Sequence, residues 1–399
     1  MTTQQAALDG IRVVEIANFM SPPLAGLMLA DFGADVIKIE KVAGGDDGRV
    51  MPPLMDGDGF FYIQLDRNKR SVALDLKDPR GAEIAASILR TADVVIDNMR
   101  PGTLARLGLD YGAISPDNPG LIACSISGFG LGNEYTSRAA YDPILQAMSG
   151  LMMATGFEGD PPMRAGAPVV DLCAAMLATI GVLVALQQRS MTGTGQIVDV
   201  SLLGAAATIM GSDVFRYWAS GDLGSRLTRE QASHTLMPIL QASDGRLIQI
   251  SFGNYEIFRR TCAAGGRPEL PDDERFSTLA GLMANPVELR AELRAIFGAH
   301  DFAFWSQALD EHGIPWGAVN TVDEFFEDPV VKSWLVRSVQ RSGGATLPAL
   351  KTAVRFSQSQ APELLPPATL GEHTGQVLQE LLGMDPGQLD ELTLAGVIR

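Results

Sequence analysis

Short apolar runs alternate with helical patterns through the first half of the chain, and this alternation predicts strand–helix–strand units. The runs predicted to be buried strands are Ile11–Ala17, Asp35–Glu40, Ser71–Leu76, Asp93–Asp97, Leu121–Ser127 and Gln196–Ser201. Helical patterns extend from Pro22-Pro23 to Phe32 and over Asp78–Ala92. We therefore expect an α/β fold with a parallel sheet, in which ligands bind where strands end in glycine-rich and polar loops.

The second half of the chain indicates a smaller α+β domain inserted into the first domain. Leu236–Phe252 is typical of a hairpin that turns at Ser243-Asp244-Gly245. Trp316–Asn320 is predicted to be a strand that leads back into the large domain. The predicted boundaries are 1–220 and 316–399 for the large domain and 221–315 for the small domain.

One acid, Asp171, stands at the entrance to the uncharged apolar run Leu172–Leu186. Pro168 cannot lie inside a helix, so we expect extended or turning chain until about Val170, with Asp171 as the helix N-cap. The positive end of the helix dipole would keep that carboxylate ionised, as a nucleophilic or basic acid requires. The alternative is an N-cap with no further role. The run is shorter than the ~20 residues that span a bilayer.

Composition narrows the classes of function. The chain has 399 residues, a formal net charge of −16 and a hydrophobic content of 46%, which together argue against nucleic acid or an anionic membrane as the main partner. The three cysteines are far apart, the four histidines show no metal-ligand spacing, and the first residues lack a signal-peptide pattern. We therefore expect a soluble cytoplasmic protein without a disulfide framework or a bound metal.

Cations collect near predicted strand ends, in a segment where basic and acidic residues are equal in number. They are Lys38, Lys41, Arg49, Lys69, Arg70, Lys77 and Arg106. A ring of such cations would bind the phosphates of a ligand, and the alternative is a set of solvated loop charges. The residues alone indicate an α/β enzyme that holds a small anionic molecule.

Three polar residues in predicted loops leave their roles open. Asn98 follows a core strand and either binds a ligand or caps the next turn. Asp142 is a candidate N-cap or a carboxylate partner of Asp171, and Tyr141 before it is a candidate packing residue. We find no G-x-G-x-x-G at the first turn, no nucleophile elbow, no Walker loop and no histidine-based triad signature.

Several blocks of sequence resemble class III coenzyme A transferases, the CaiB/BaiF family. The blocks are Leu8–Glu15, Leu29–Glu40, Arg67–Ser71, Leu74–Lys77, Asn98–Gly102, Leu107–Tyr111, Ser125–Gly130, Thr192–Ser201 and Leu370–Thr374. They follow one another in the family's order over nearly the whole chain, and the resemblance is weakest across the small domain.

The resemblance implies a role for each matching residue. Asp171 matches the family's nucleophilic aspartate. The implied coenzyme A contacts are the backbone near Met20 and the residues Lys41, Leu74, Lys77, Asn98 and Arg106. Tyr141 and Asp142 are candidate substrate-binding residues. The family's fold is a Rossmann-like large domain with a small domain, in a homodimer whose subunits interlock. Its active sites lie at the subunit and domain interface.

The resemblance also implies an activity, the transfer of coenzyme A from an acyl-CoA to a carboxylic acid, with no cofactor beyond coenzyme A as substrate and product. Two alternatives remain. α-Methylacyl-CoA racemases share the fold but carry His-Asp where this chain has Tyr141-Asp142, and a non-catalytic protein could bind CoA esters. The family's common Gly-Pro is Gly132-Asn133 here, and the glycine-rich loop of formyl- and oxalyl-handling members is absent near Arg226–Pro238. We therefore expect a longer or bulkier acid.

Overall fold

The computed structural model of the chain describes residues 5–223, 226 and 236–399. Within these residues the chain forms two compact units. The first spans Met1–Met152, Arg164–Leu223 and Pro329–Arg399, and the second spans Met153–Met163 and Gly224–Asp328. The sequence lacks the glycine-rich loop of formyl- and oxalyl-handling members near residues 226–238. Most of this segment lies outside the described residues.

A six-stranded parallel sheet forms the centre of the first unit. The strands of the described residues are β1 (Arg12–Ile16), β2 (Asp35–Glu40), β3 (Leu54–Met55), β4 (Asp58–Gly59), β5 (Lys69–Ala73), β6 (Val94–Asp97), β7 (Ile122–Ser127), β8 (Ile197–Ser201), β9 (Ile239–Gln241), β10 (Leu247–Ile250), β11 (Trp316–Ala318), β12 (Val336–Gln340) and β13 (Thr346–Leu350). The sheet order is β5-β2-β1-β6-β7-β8, and every pairing in it is parallel. The predicted α/β fold with a large parallel sheet is confirmed.

Helices cover both faces of this sheet. The helices of the two units, within the described residues, are α1 (Ser21–Asp31), α2 (Phe60–Leu65), α3 (Pro79–Arg90), α4 (Thr103–Arg106), α5 (Tyr111–Ile114), α6 (Asp142–Met148), α7 (Leu151–Ala154), α8 (Val169–Thr192), α9 (Leu202–Ile209), α10 (Gly211–Ser220), α11 (Tyr255–Ala264), α12 (Leu279–Ala284), α13 (Pro286–Gly298), α14 (Phe302–Glu311), α15 (Val322–Glu327), α16 (Pro329–Leu335), α17 (Thr374–Leu382) and α18 (Pro386–Leu394). Successive strand residues alternate between the faces, so that Val13 packs with α1, α8 and α9 while Val14 packs with α3 and α17.

Helix α8 is longer than the sequence suggested. It has 24 residues, and by length and mean hydropathy alone it could cross a membrane, so the expectation that the run is too short is wrong. In the structure α8 packs against α1 and α9 and over β7 and β8, and Val170, Ala174 and Ala178 of this helix lie in the core. These contacts bury one face of α8.

The second unit has its own antiparallel sheet, in the order β11-β10-β9, and its own apolar core around Phe258, Phe297 and Trp305. The hairpin predicted around residues 243–245 is present as β9 and β10. Trp316–Ala318 pairs with β10 and so belongs to this unit, whereas the sequence-based boundary assigned it to the large domain. The two boundaries differ because the pairing of strands that are distant in the chain has no signature in the local sequence pattern.

A cluster of buried charges joins the first three strands of the main sheet on one side. Glu15 on β1 accepts hydrogen bonds from Lys38 on β2 at 2.5 Å and from Lys69 on β5 at 2.8 Å. Asp46 and Asp66 lie 2.7 and 3.2 Å from the Lys38 ammonium. All five side chains are at most 4% exposed. Helix α1 packs closely here, since a Cβ at its Gly26 would lie 2.3 Å from the Glu15 carboxylate.

Three of the seven cations of the predicted ring are internal. Lys38 and Lys69 belong to the buried cluster, and Arg49 is buried against Glu40 at 2.7 Å. Arg70 pairs with Asp35 at 2.5 Å. The prediction that Lys38, Arg49 and Lys69 surround a ligand is wrong, because each is buried and paired with carboxylates of the same chain.

Glu15→Gln tests the cluster. The substitution leaves two buried ammonium groups with one fewer carboxylate, and we expect the free energy of unfolding to fall by about 3–5 kcal/mol. Lys41→Gln is the control, because Lys41 and Asp47 form an exposed pair and the loss should stay below about 1 kcal/mol. Chemical denaturation of both variants measures the difference. Equal losses would contradict the special role of the cluster.

Candidate active site

A cavity of ≈ 290 Å³ opens at the carboxyl ends of β1, β6 and β7 in the first unit. Its walls are Asn18–Pro22 after β1, Asn98–Pro101 after β6 and Ile126–Gly128 at the end of β7. The first turn of α8 contributes Asp171, and the loop before α6 contributes Arg138–Tyr141. Doubly wound sheets bind their ligands at this edge, so the cavity lies where the sequence predicts a ligand.

Asp171 is the third residue of α8 and not its N-cap. The helix begins at Val169, with Pro168 in the N-cap position at φ −76°. The expected N-cap role of Asp171 is wrong because Pro168, with its fixed φ, already ends the extended segment. Asp171 is partly buried, and Ser21 Oγ, at the start of α1, donates a hydrogen bond of 2.5 Å to its Oδ1. This hydrogen bond holds Oδ1 of Asp171, and the carboxylate borders the cavity.

Asp142 performs the capping that the sequence assigned to Asp171. Its side chain is 4% exposed, and its Oδ1 accepts the backbone amides of Val170 at 2.8 Å and Asp171 at 3.2 Å. Its Oδ2 accepts a hydrogen bond from Gln146 Nε2 at 2.5 Å, and Gln146 Oε1 accepts the Ala165 amide. Asp142 does not line the cavity, so the structure gives it a positioning role and not the substrate contact expected from the sequence.

The surroundings of Asp171 make it a stronger base than an ordinary aspartate. Burial raises the pKa of its carboxyl to about 6, the hydrogen bond from Ser21 opposes that rise, and the negative charge of Asp142 adds to it. The helix N-terminus was expected to favour the charged form, yet the cost of burial is larger. At neutral pH most Asp171 side chains are still ionised. Their negative charge is less stabilised than that of a carboxylate in water.

The loop after β1 is held in an unusual backbone conformation beside the cavity. Phe19 has a φ of +70°, which non-glycine residues rarely adopt. Asn98 holds the preceding residue from both sides, since its Nδ2 donates to the Asn18 carbonyl at 2.8 Å and its Oδ1 accepts the Asn18 amide at 3.2 Å. Asp46 of the buried cluster accepts the Phe19 amide at 3.3 Å. These contacts fix the chain that leads to Met20 and Ser21.

The implied coenzyme A contacts fall into separate groups. Met20 and Asn98 line the first cavity with Asp171, whereas Lys77 and Arg106 line a second cavity of ≈ 380 Å³ beside α3. The exposed Lys41 pairs with Asp47 at 2.5 Å, and Asp47 also lines the first cavity. Leu74 is 1% exposed and packs in the core below α3, so its side chain does not face a ligand.

Tyr141 remains a wall of the first cavity. Its side chain is 65% exposed, and its ring meets that of Phe19 edge to face, with the ring centroids 6.3 Å apart. The side chain thus makes an aromatic contact but is mostly exposed, and it lines the cavity.

Sequence reasoning did not single out Ser21, Arg100 and Arg138, which line the cavity. It also missed Gln146, which is buried and donates a hydrogen bond to Asp142. Gln146 could have been found, because it lies four residues after Asp142 on one helix face. Arg100 could also have been found, because it lies inside the Asn98–Gly102 block that resembles the family. Ser21 gave no signal, since its bond to Asp171 joins residues 150 positions apart.

Two variants should move the pKa of Asp171 in opposite directions. Ser21→Ala removes a hydrogen bond to the charged form, so the pKa should rise above about 6. Asp142→Asn removes a negative charge but keeps an oxygen that can cap α8, so the pKa should fall. Carbon-13 NMR of protein labelled at aspartate carboxyl carbons measures both shifts, and Asp171→Asn assigns the signal. Shifts of the same sign in both variants would contradict the described electrostatics.

The chain is similar to known proteins over nearly its whole length. The sequence profile described as CoA-transferase family III matches residues 8–374. The succinate–glutarate CoA-transferase of Agrobacterium fabrum is 36% identical over 394 residues, which cover 96% of this chain and 97% of that one. The succinyl-CoA:glutarate CoA-transferase of Mus musculus is 34% identical, covering 98% of this chain and 90% of that one.

The fold agrees with these matches. A crystal structure of a CaiB/BaiF family protein from Brucella suis superposes with a TM-score of 0.85 at 33% identity, and covers 95% of this chain and 100% of that chain. The cavity, the acid that borders it and the matches over nearly the whole length agree with one another. The chain therefore belongs to CoA-transferase family III.

Proposed function

We propose that this enzyme moves coenzyme A from an acyl-CoA to a small dicarboxylic acid, and that Asp171 relays the transfer covalently. The observation that carries the proposal is the position of Asp171, a partly buried carboxylate of raised pKa that borders a cavity at the sheet edge. The names of two relatives, which include succinate or succinyl-CoA together with glutarate, support dicarboxylic substrates.

The first half of the proposed reaction loads coenzyme A onto the enzyme. An oxygen of Asp171 attacks the thioester carbonyl, a C–O bond forms, and the C–S bond breaks to release the CoA thiolate, which leaves a mixed anhydride. The thiolate then attacks the aspartyl carbonyl and expels the donor acid as its carboxylate. An aspartyl-CoA thioester remains. Relay through a carboxylate divides one difficult exchange into easier steps.

The second half reverses these steps with the acceptor acid. Its carboxylate attacks the aspartyl-CoA carbonyl and expels the thiolate, which gives a second mixed anhydride. The thiolate attacks the acceptor's carbonyl, and the Asp171 carboxylate leaves. Each bond made or broken belongs to Asp171, coenzyme A or the two acids, so this scheme needs no further cofactor.

The residues around Asp171 support the proposed steps. The hydrogen bond from Ser21 holds one oxygen and leaves the other to attack. The N-terminus of α1, which begins at Ser21, borders the same cavity, and its positive end would stabilise the oxyanion that forms on the attacked carbonyl. We propose that Met20 and Asn98 contact the pantetheine end of coenzyme A and that Lys77 and Arg106 contact its phosphates.

We also propose that the enzyme is a cytoplasmic homodimer, with the interlocked arrangement that the resemblance implies. Met176, Ile180 and Val184 are 46%, 56% and 61% exposed and recur every four residues along α8, so they form one apolar stripe. A second copy would cover such a stripe. The three cysteines are free, as expected in a reducing compartment.

A racemase is not supported by the same cavity. Proton exchange at an α-carbon needs a base on each side of that carbon. Tyr141 stands where racemases of this fold carry histidine, and no histidine is among the described residues that line the cavity. A reactive carboxylate without a histidine partner among these residues is better suited to nucleophilic attack.

Trapping with hydroxylamine tests the covalent relay. Hydroxylamine converts an activated aspartyl group into a stable hydroxamate, so incubation with succinyl-CoA should give a hydroxamate on the Asp171 peptide by mass spectrometry. Asp171→Ala should lose both the adduct and turnover. Asp47→Asn is the matched control, since Asp47 is another carboxylate of this cavity, and the adduct should persist. A hydroxamate on a different residue would overturn the assignment. Solvent-deuterium incorporation at the α-carbon without CoA exchange would instead indicate a racemase.

A further inference from the structure

Two arginines line the cavity of Asp171. Arg100 follows β6, and Arg138 lies in the loop before α6. Among the described residues, no carboxylate forms an ion pair with either one, whereas the Asp47 carboxylate is already paired with Lys41. The lining thus holds two arginines and two carboxylates, Asp47 and Asp171. Because Asp47 is paired, the unpaired arginines outnumber the unpaired carboxylate two to one, although the whole chain has a formal net charge of −16. Such a local excess favours a ligand with an additional negative group.

Arg138 is held in place by aromatic rings. Its guanidinium carbon lies 5.1 Å from the ring centroid of Phe129 and 4.7 Å from that of Tyr135. The two rings themselves meet edge to face at 5.5 Å, and Phe129 is buried. Contact with ring faces leaves the N–H groups at the edge of a guanidinium available, and their fork matches the two oxygens of a carboxylate.

The loop that carries Arg138 is shaped by its own hydrogen bonds. Asn133 Nδ2 donates to the Phe129 carbonyl at 2.8 Å, and Asn133 Oδ1 accepts the Tyr135 amide at 2.8 Å. The Arg138 amide donates to the Tyr135 carbonyl at 2.8 Å. Farther along, Asp142 accepts the Asp171 amide. Short segments held by hydrogen bonds thus connect Arg138 to the start of α8, the helix that carries Asp171.

We propose that Arg138 binds the distal carboxylate of the acyl group and thereby selects dicarboxylic acids and their mono-CoA thioesters. This inference rests on the proposed transferase function. One carboxyl carbon of the substrate reacts at Asp171, and the second carboxylate pairs with the guanidinium edge of Arg138. Lys77 and Arg106 line the other cavity and contact the phosphates of coenzyme A in this proposal. Arg138 is therefore a specificity-determining residue of the transfer reaction.

Arg138→Gln tests the inference with two donors of equal chain length, succinyl-CoA and butyryl-CoA, which differ in the distal carboxylate. The wild type should prefer succinyl-CoA. The variant should lose about 10- to 100-fold of that preference in kcat/KM, as expected for one hydrogen-bonded charge pair. Its use of butyryl-CoA and its affinity for free coenzyme A should change little, which also shows that it folds. Arg100→Gln is the matched control, since it removes equal charge from the same cavity.

The outcomes separate this inference from the proposed function. If the wild type forms no aspartyl adduct and transfers coenzyme A from neither donor, the transferase proposal itself fails. If transfer occurs but Arg138→Gln keeps the wild-type preference, the role of Arg138 is refuted while the function stands. The role is also refuted if the variant weakens binding of free coenzyme A and slows both donors equally. An equal change of preference in Arg100→Gln would attribute the effect to general charge and overturn the inference.

Discussion

The geometry of the site depends on one buried carboxylate, that of Asp142. By accepting the amides of Val170 and Asp171, it fixes the first turn of α8, and through Gln146 it also holds the segment leading to that turn. The same negative charge raises the pKa of Asp171. Burial is the main cause of that raised pKa and Asp142 adds to it, so this group positions the reactive acid and contributes to its basicity.

The buried charge cluster supplies the other side of the site. Glu15, Lys38 and Asp46 connect the middle of the sheet to the Phe19 amide, and Asn98 holds the adjacent peptide. Together they maintain a left-handed residue that a loop alone would not retain. The chain then enters α1 at Ser21, whose hydroxyl reaches Asp171. Lys38, which the sequence pattern suggested for ligand binding, thus helps to hold the loop that lines the proposed ligand cavity.

The sequence predicts the sheet well because its strands are apolar runs bounded by turns, and Asp35–Glu40 is found unchanged as β2. The resemblance to the family also predicts that Asp171, Asn98 and Met20 contact one ligand, and all three line one cavity. Prediction from sequence fails where contacts join distant residues: the capping of α8 by Asp142, the pairing of Trp316–Ala318 and the burial of Lys38. Local patterns identify a carboxylate or a cation, but only tertiary packing decides which of them meets a partner.

The central claim is that Asp171 becomes covalently linked during transfer, and an isotope measurement tests it most directly. An acceptor acid labelled with heavy oxygen in its carboxylate attacks the aspartyl-CoA thioester, and its bridging oxygen stays with Asp171 when the last anhydride is cleaved. After a single turnover, mass spectrometry should therefore find one labelled oxygen in the Asp171 peptide. Turnover that leaves Asp171 unlabelled would contradict the account, because coenzyme A would then pass between the acids without the aspartyl relay.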